Sequence, residues 1–92
     1  MICKEIRFSG HALLQMFKRN IETIDVRECI LNGEVIADYP SDKPYPSKLL
    51  LSKKSKPLHV VVAQDVENSI CIVVTAYFPD LQIWNYDFKT KK

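Results

Sequence analysis

Two histidines, His11 and His59, are the side chains in this 92-residue chain best suited to moving protons near neutral pH. An unperturbed imidazole titrates at about 6.5, so it can serve as acid or base there. Arg19, Thr75 and Tyr77 supply a cation, a hydroxyl and a phenol. Together these types suit RNA cleavage without a metal. A base takes the ribose 2′-OH proton, an acid protonates the leaving 5′-oxygen, and cations stabilise the crowded phosphorane. One well-placed acid or base is worth roughly 10²–10⁴ in rate. The only two glycines, Gly10 and Gly33, exclude a phosphate-cradling glycine loop. Neither paired carboxylates nor a metal-ligand cluster stands out, so no metal and no cofactor is expected.

Net charge is only +2, but it is unevenly spread. Lys43, Lys48, Lys53, Lys54 and Lys56 fall in a stretch, 43–64, that has no acidic residue, and Lys89, Lys91 and Lys92 end the chain. Such clustering favours a phosphate backbone, because each neutralised phosphate releases counterions. The candidate RNA contacts are Lys18, Lys43, Lys48, Lys53, Lys54 and Lys89, with Tyr45 and Trp84 as aromatic partners for bases. Each candidate also has an ordinary structural use. His11 could be a capping or exposed helix residue, His59 a satisfied core histidine, Arg19 a helix C-terminal charge, and Trp84 a packing residue.

These side chains must be positioned by an α+β fold. Ile6 and Phe8 alternate with charged neighbours, as in a short strand or extended lead-in. Ser9 is placed to cap a helix over Gly10–Arg19, whose apolar stripe reads Ala12, Leu13, Met16 and Phe17. His11, Lys18 and Arg19 bias its polar side towards positive charge. Thr23 is placed to cap a second helix, with Asp25 in its first turn, Val26, Cys29 and Ile30 inward, and Asn32-Gly33 as its stop.

Beyond Glu34 the period changes to that of strands, interrupted by the proline-rich loop Pro40–Pro46. Leu58–Gln64 and Ile70–Phe78, dense in β-branched residues, predict an antiparallel hairpin, and Leu81–Phe88 a last strand. A three-residue loop, 66–68, would set His59 opposite Thr75 with Tyr77 on the same face. Cys71 and Val73 would continue that face, with Ile70, Ile72, Val74 and Ala76 on the other. A loop one residue longer or shorter would separate His59 from Thr75.

Hydrophobic residues at 47% and charged residues at 26% are globular values for one domain spanning 1–92. No apolar run approaches the ~18 residues of a membrane span, and the charged N-terminus does not resemble an export signal. A cytoplasmic protein without membrane partners is expected. Cys3, Cys29 and Cys71 are odd in number and widely spaced, which predicts packing thiols in a reducing compartment.

Ser9-Gly10-His11-Ala12, Arg19-Asn20-Ile21, Gly33-Glu34-Val35-Ile36, Tyr39-Pro40, Pro44-Tyr45-Pro46, Leu58-His59-Val60-Val61, Thr75-Ala76-Tyr77-Phe78-Pro79-Asp80 and Trp84 follow one another in a specific order. In this series the chain resembles the DUF4258 family over about residues 8–88. That family is similar to RelE-like toxins and, more distantly, to the barnase and colicin nuclease fold. The resemblance implies one or two short N-terminal helices packed on a curved four- to five-stranded antiparallel sheet. It implies metal-independent RNA cleavage on the sheet face by His11, Arg19, His59, Thr75 and Tyr77. It also implies a cognate antitoxin partner and RNA, in all expectation messenger RNA, as substrate. The family pattern ends in a basic residue after the tryptophan segment, where this chain offers Lys89 or Lys91. The alternative is a non-catalytic RNA- or protein-binding module of the same fold.

Overall fold

A computed structural model describes residues 1–92. The element order is β1 (Glu5–Phe8), α1 (Gly10–Arg19), α2 (Thr23–Asn32), β2 (Glu34–Tyr39), β3 (Ser47–Ser52), β4 (Leu58–Asp65) and β5 (Ile70–Tyr77). Both helices lie on one face of a five-stranded sheet ordered β1-β5-β4-β3-β2. The fold is α+β, as the sequence predicts, with one difference in the sheet. β2 through β5 pair antiparallel, but β1 joins the far side of β5 in parallel, matching Glu5 to Ile70 and Phe8 to Val73. The sheet is therefore mixed.

Local chemistry sets the helix ends. The Ser9 hydroxyl accepts a hydrogen bond from the Ala12 amide at 3.0 Å, starting α1 where expected. Asn20 ends it in the left-handed conformation (φ 57°), its amide donating back to the Met16 and Phe17 carbonyls. α2 begins one residue earlier than the capping pattern suggests, with Glu22 at the cap position and Thr23 already inside the helix. Gly33 follows α2 because space there is closed. A Cβ would meet the Cys29 carbonyl oxygen and come within 2.9 Å of the Leu51 carbonyl oxygen.

The core joins Ala12 and Met16 of α1 and Val26, Cys29 and Ile30 of α2 to one sheet face. That face is made by Leu50, Leu58, Val60, Val62, Cys71, Val73 and Ala76. The apolar stripe expected on α1 is only half used. Leu13 and Phe17 stay in solvent, because a single sheet face contacts the helix along Ala12 and Met16.

Two sequence-based expectations fail for topological reasons. Leu81–Phe88 is not a strand. After Pro79 the chain turns on Asp80, whose carbonyl accepts from the Ile83 and Trp84 amides, and folds over the sheet face away from the helices. It keeps only an isolated bridge between Trp84 and Lys91. The cysteines are not all thiols either. Cys3 and Cys71 form a disulfide with Cα atoms 5.6 Å apart, leaving Cys29 free and buried. The parallel docking of β1 beside β5 brings together residues separated by 68 positions, which no local spacing reveals. Burial pushes the Cys29 thiol up to about 12, so it is an inert packing group.

Candidate functional site

The hairpin turn is one residue longer than expected, pairing Asp65 with Ile70. Alone, that shift would turn His59 away from Thr75. A second irregularity cancels it. Between the pairs Val62–Val73 and Val61–Thr75 the β5 strand carries an extra residue, Val74, in a β-bulge. Two one-residue shifts restore the parity of faces, so His59 pairs with Tyr77 and Thr75 with Val61. Upstream of the bulge the expected faces are exchanged. Cys71 and Val73 point at the helices with Ala76, while Thr75 and Tyr77 lie on the other face.

His59 is 0% exposed and both its ring nitrogens are used. Nε2 lies 2.7 Å from the Phe88 carbonyl oxygen, which can only accept, so Nε2 carries the proton. Nδ1, 3.2 Å from the Tyr77 hydroxyl, is then the acceptor of the phenol proton. Trp84 stands edge-on to the imidazole with ring centres 4.6 Å apart. Burial holds the imidazole below its ordinary pKa, and the bond to the Phe88 carbonyl only partly offsets this. His59 is neutral at neutral pH. Burial also raises the Tyr77 phenol, helped by the Tyr39 phenol and opposed by the Arg19 guanidinium.

Arg19 reaches this corner from the end of α1. β1 covers β5 only as far as Val73, so the Ala76 carbonyl is left without a strand partner. Arg19 Nη1 donates to it at 2.8 Å and lies 3.5 Å from Thr75 Oγ1. Arg19, Thr75, Tyr77 and His59 therefore gather around the free half of β5. His11 does not join them. It begins the helix that Arg19 ends, about 12 Å away along the axis at ~1.5 Å per residue.

The candidate RNA contacts are dispersed. Lys48, Lys54 and Lys89 pair with Asp38, Glu28 and Glu34 at 3.3, 3.3 and 2.9 Å. Trp84 is packed on His59 rather than presented to solvent. Tyr45 helps hold the Asp65 carboxyl low, after the larger contribution of Asn68, at the opposite end of β4 from His59. Lys18, Lys43 and Lys53 are exposed; the Asp87 carboxyl is held low chiefly by the Lys89 and Thr90 amides, with Lys53 adding the smallest contribution. The largest cleft, about 500 Å³, lies elsewhere, between α2, the β3–β4 connection and Phe78. Lys56 sits 4.0 Å from the centre of the Phe78 ring there. No set of three His, Cys, Asp or Glu side chains converges in a way that could hold a metal ion.

A family model described as Domain of unknown function (DUF4258) matches residues 8–78. The chain belongs to the DUF4258 family. No curated protein and no solved structure matches it. Within this DUF4258 domain the matched residues include His11, Arg19, His59, Thr75 and Tyr77. They stop before Trp84 and Phe88, so the segment that seals His59 lies beyond the matched span. No helix of the DUF4258 chain is long and apolar enough to cross a membrane.

What sequence reasoning missed at this corner is the C-terminal cover. The Phe88 carbonyl is a backbone group in a segment read as a strand, so no residue type marked it as the partner of His59. Pro79-Asp80 already reads as a turn, and the signal left unused is the lone tryptophan that follows it among polar neighbours.

Proposed function

We propose that this DUF4258 chain is a metal-independent endoribonuclease, the toxin of a toxin-antitoxin pair. What supports the substrate class is the likeness, implied by the sequence motifs, of the DUF4258 family to RelE-like toxins and, more distantly, to the barnase fold. The observation that carries the chemistry is the 3.2 Å contact between the neutral His59 imidazole and the Tyr77 hydroxyl, beside Arg19. A phenol with a raised pKa does not ionise unaided near neutrality. It can pass a proton on. As the Tyr77 oxygen takes the proton of a ribose 2′-OH, its own proton moves to His59 Nδ1. The 2′-oxygen attacks phosphorus, and the guanidinium of Arg19 stabilises the phosphorane through the donors it does not spend on Ala76 and Thr75. The bond to the 5′-oxygen breaks, leaving a 2′,3′-cyclic phosphate and a 5′-hydroxyl that takes its proton from water. With His11 remote, one acid contribution of roughly 10²–10⁴ is missing, and slow turnover is expected.

The complete enclosure of His59 favours a second reading, a non-catalytic RNA- or protein-binding module. One experiment separates the two. Purified protein is incubated with labelled RNA in EDTA, and products are tested for 2′,3′-cyclic phosphate ends. Cleavage that falls at least 100-fold in Tyr77→Phe and in Arg19→Ala supports catalysis. Intact RNA that shifts in a salt-dependent gel supports binding. RNA neither cut nor retarded removes RNA from the account.

A further inference from the structure

The solvent side of α1 carries an apolar ridge that the fold leaves uncovered. Phe17 is 82% exposed, Leu14 51% and Leu13 46%. With ~100° per residue these three span one arc of the helix, roughly opposite Ala12 and Met16, which face the sheet. The ridge exposes on the order of 300 Å² of apolar surface, the size at which a patch on a soluble protein usually has a use. Leu13 and Phe17 are four residues apart, the spacing that seats one helix in the groove of another.

Charge identifies the occupant. α1 contains no carboxylate, Lys18 flanks the ridge together with His11, and Lys18 makes no ion pair. We infer that the outward face of α1 docks an amphipathic helix of another protein, one whose apolar stripe is flanked by acidic residues. A second copy of this chain fits less well. Antiparallel pairing of two α1 helices would set Lys18 against the positive end of the partner copy's helix dipole. A membrane surface fits less well too. Three apolar side chains and one flanking lysine on a helix fixed to a sheet fall short of the two signals stable anchoring takes. The inference is independent of RNA cleavage, because the ridge faces away from the sheet.

The test uses isotope-labelled full-length protein and two synthetic helical peptides of about 18 residues. Both share one leucine stripe, flanked by glutamates in one and by lysines in the other. The acidic peptide is expected to shift the amide signals of Leu13, Leu14, Phe17 and Lys18. Phe17→Ser should weaken its binding at least tenfold, and Lys18→Glu should weaken it while strengthening the basic peptide. Both positions are exposed, so thermal melts of the variants should match the parent. Equal binding of the two peptides, shifts elsewhere, or no binding overturns the inference. So does a solution dimer that Phe17→Ser dissolves, or co-sedimentation with anionic phospholipid vesicles.

Discussion

The Tyr77 hydroxyl lies 3.2 Å from Nδ1 of His59, across a strand pair in which the two residues are direct partners. The hydroxyl fills the one imidazole position that the Phe88 carbonyl leaves open, so a wholly buried ring has both nitrogens satisfied. Satisfaction is what makes the burial tolerable, since an unpaired buried polar group costs about 1–3 kcal/mol.

Tyr77→Phe keeps the ring and removes the donor. The His59 Nδ1 lone pair is then left without a partner. The variant should be about 1–3 kcal/mol less stable than the parent in urea unfolding. If the phenol carries the proton relay, RNA cleavage should also fall by at least the low end of the roughly 10²–10⁴ expected for one proton-transfer group. Unchanged stability would show that the contact contributes nothing.

His59 also sets a pH dependence. Its folded pKa is depressed below the ordinary 6.5, so between these two values the unfolded chain binds the proton and the folded chain does not. Stability is therefore full above the ordinary value and declines as pH falls from it towards the folded value, by at most about 1.4 kcal/mol per pH unit for one group. Melting followed from pH 8 to pH 5 should show this decline, and His59→Gln should flatten it.

The Cys3–Cys71 disulfide closes most of the chain into a loop. Chain entropy for a loop of this size corresponds to about 4 kcal/mol, a large part of the stability of a small domain. Cys3→Ser should lower the urea midpoint strongly. In the parent, alkylation without reductant should mark at most Cys29, and alkylation after reduction and unfolding should mark all three cysteines.

Gly33→Ala should destabilise by about 1–3 kcal/mol, because the added carbon meets backbone oxygens of Cys29 and Leu51 that cannot swing aside. The cost is steric. The backbone of Gly33, at φ −73°, is open to any residue. A thermal melt equal to the parent's would mean that α2 and β3 can separate there.

Much of the fold is legible in the residues. Ser9 and Asn20 bound α1, Val26, Cys29 and Ile30 mark the buried side of α2, and β-branched runs mark β4 and β5. The candidate site is legible only in part. His59, Thr75 and Tyr77 do share a face, but through a longer turn and a bulge at Val74 that together leave the parity unchanged. Arg19 joins them because the Ala76 carbonyl lacks a strand partner, whereas His11 is held at the far end of the same helix. The ridge of Leu13 and Phe17 looks like core by periodicity, yet periodicity does not tell which of two apolar stripes a single sheet face will cover.

The sequence alone determined much of the local structure: where α1 starts and stops, that the β-branched runs of β4 and β5 are strands, and which side chains could move protons or bind phosphate. Those properties rest on capping, period and side-chain chemistry within a few residues. Tertiary structure decided the parallel docking of β1, the pairing of Cys3 with Cys71, and the cover of Trp84 and Phe88 over His59. Each depends on contacts between distant segments whose register is set by turn length and bulges, and a shift of one residue there reverses which face a side chain occupies.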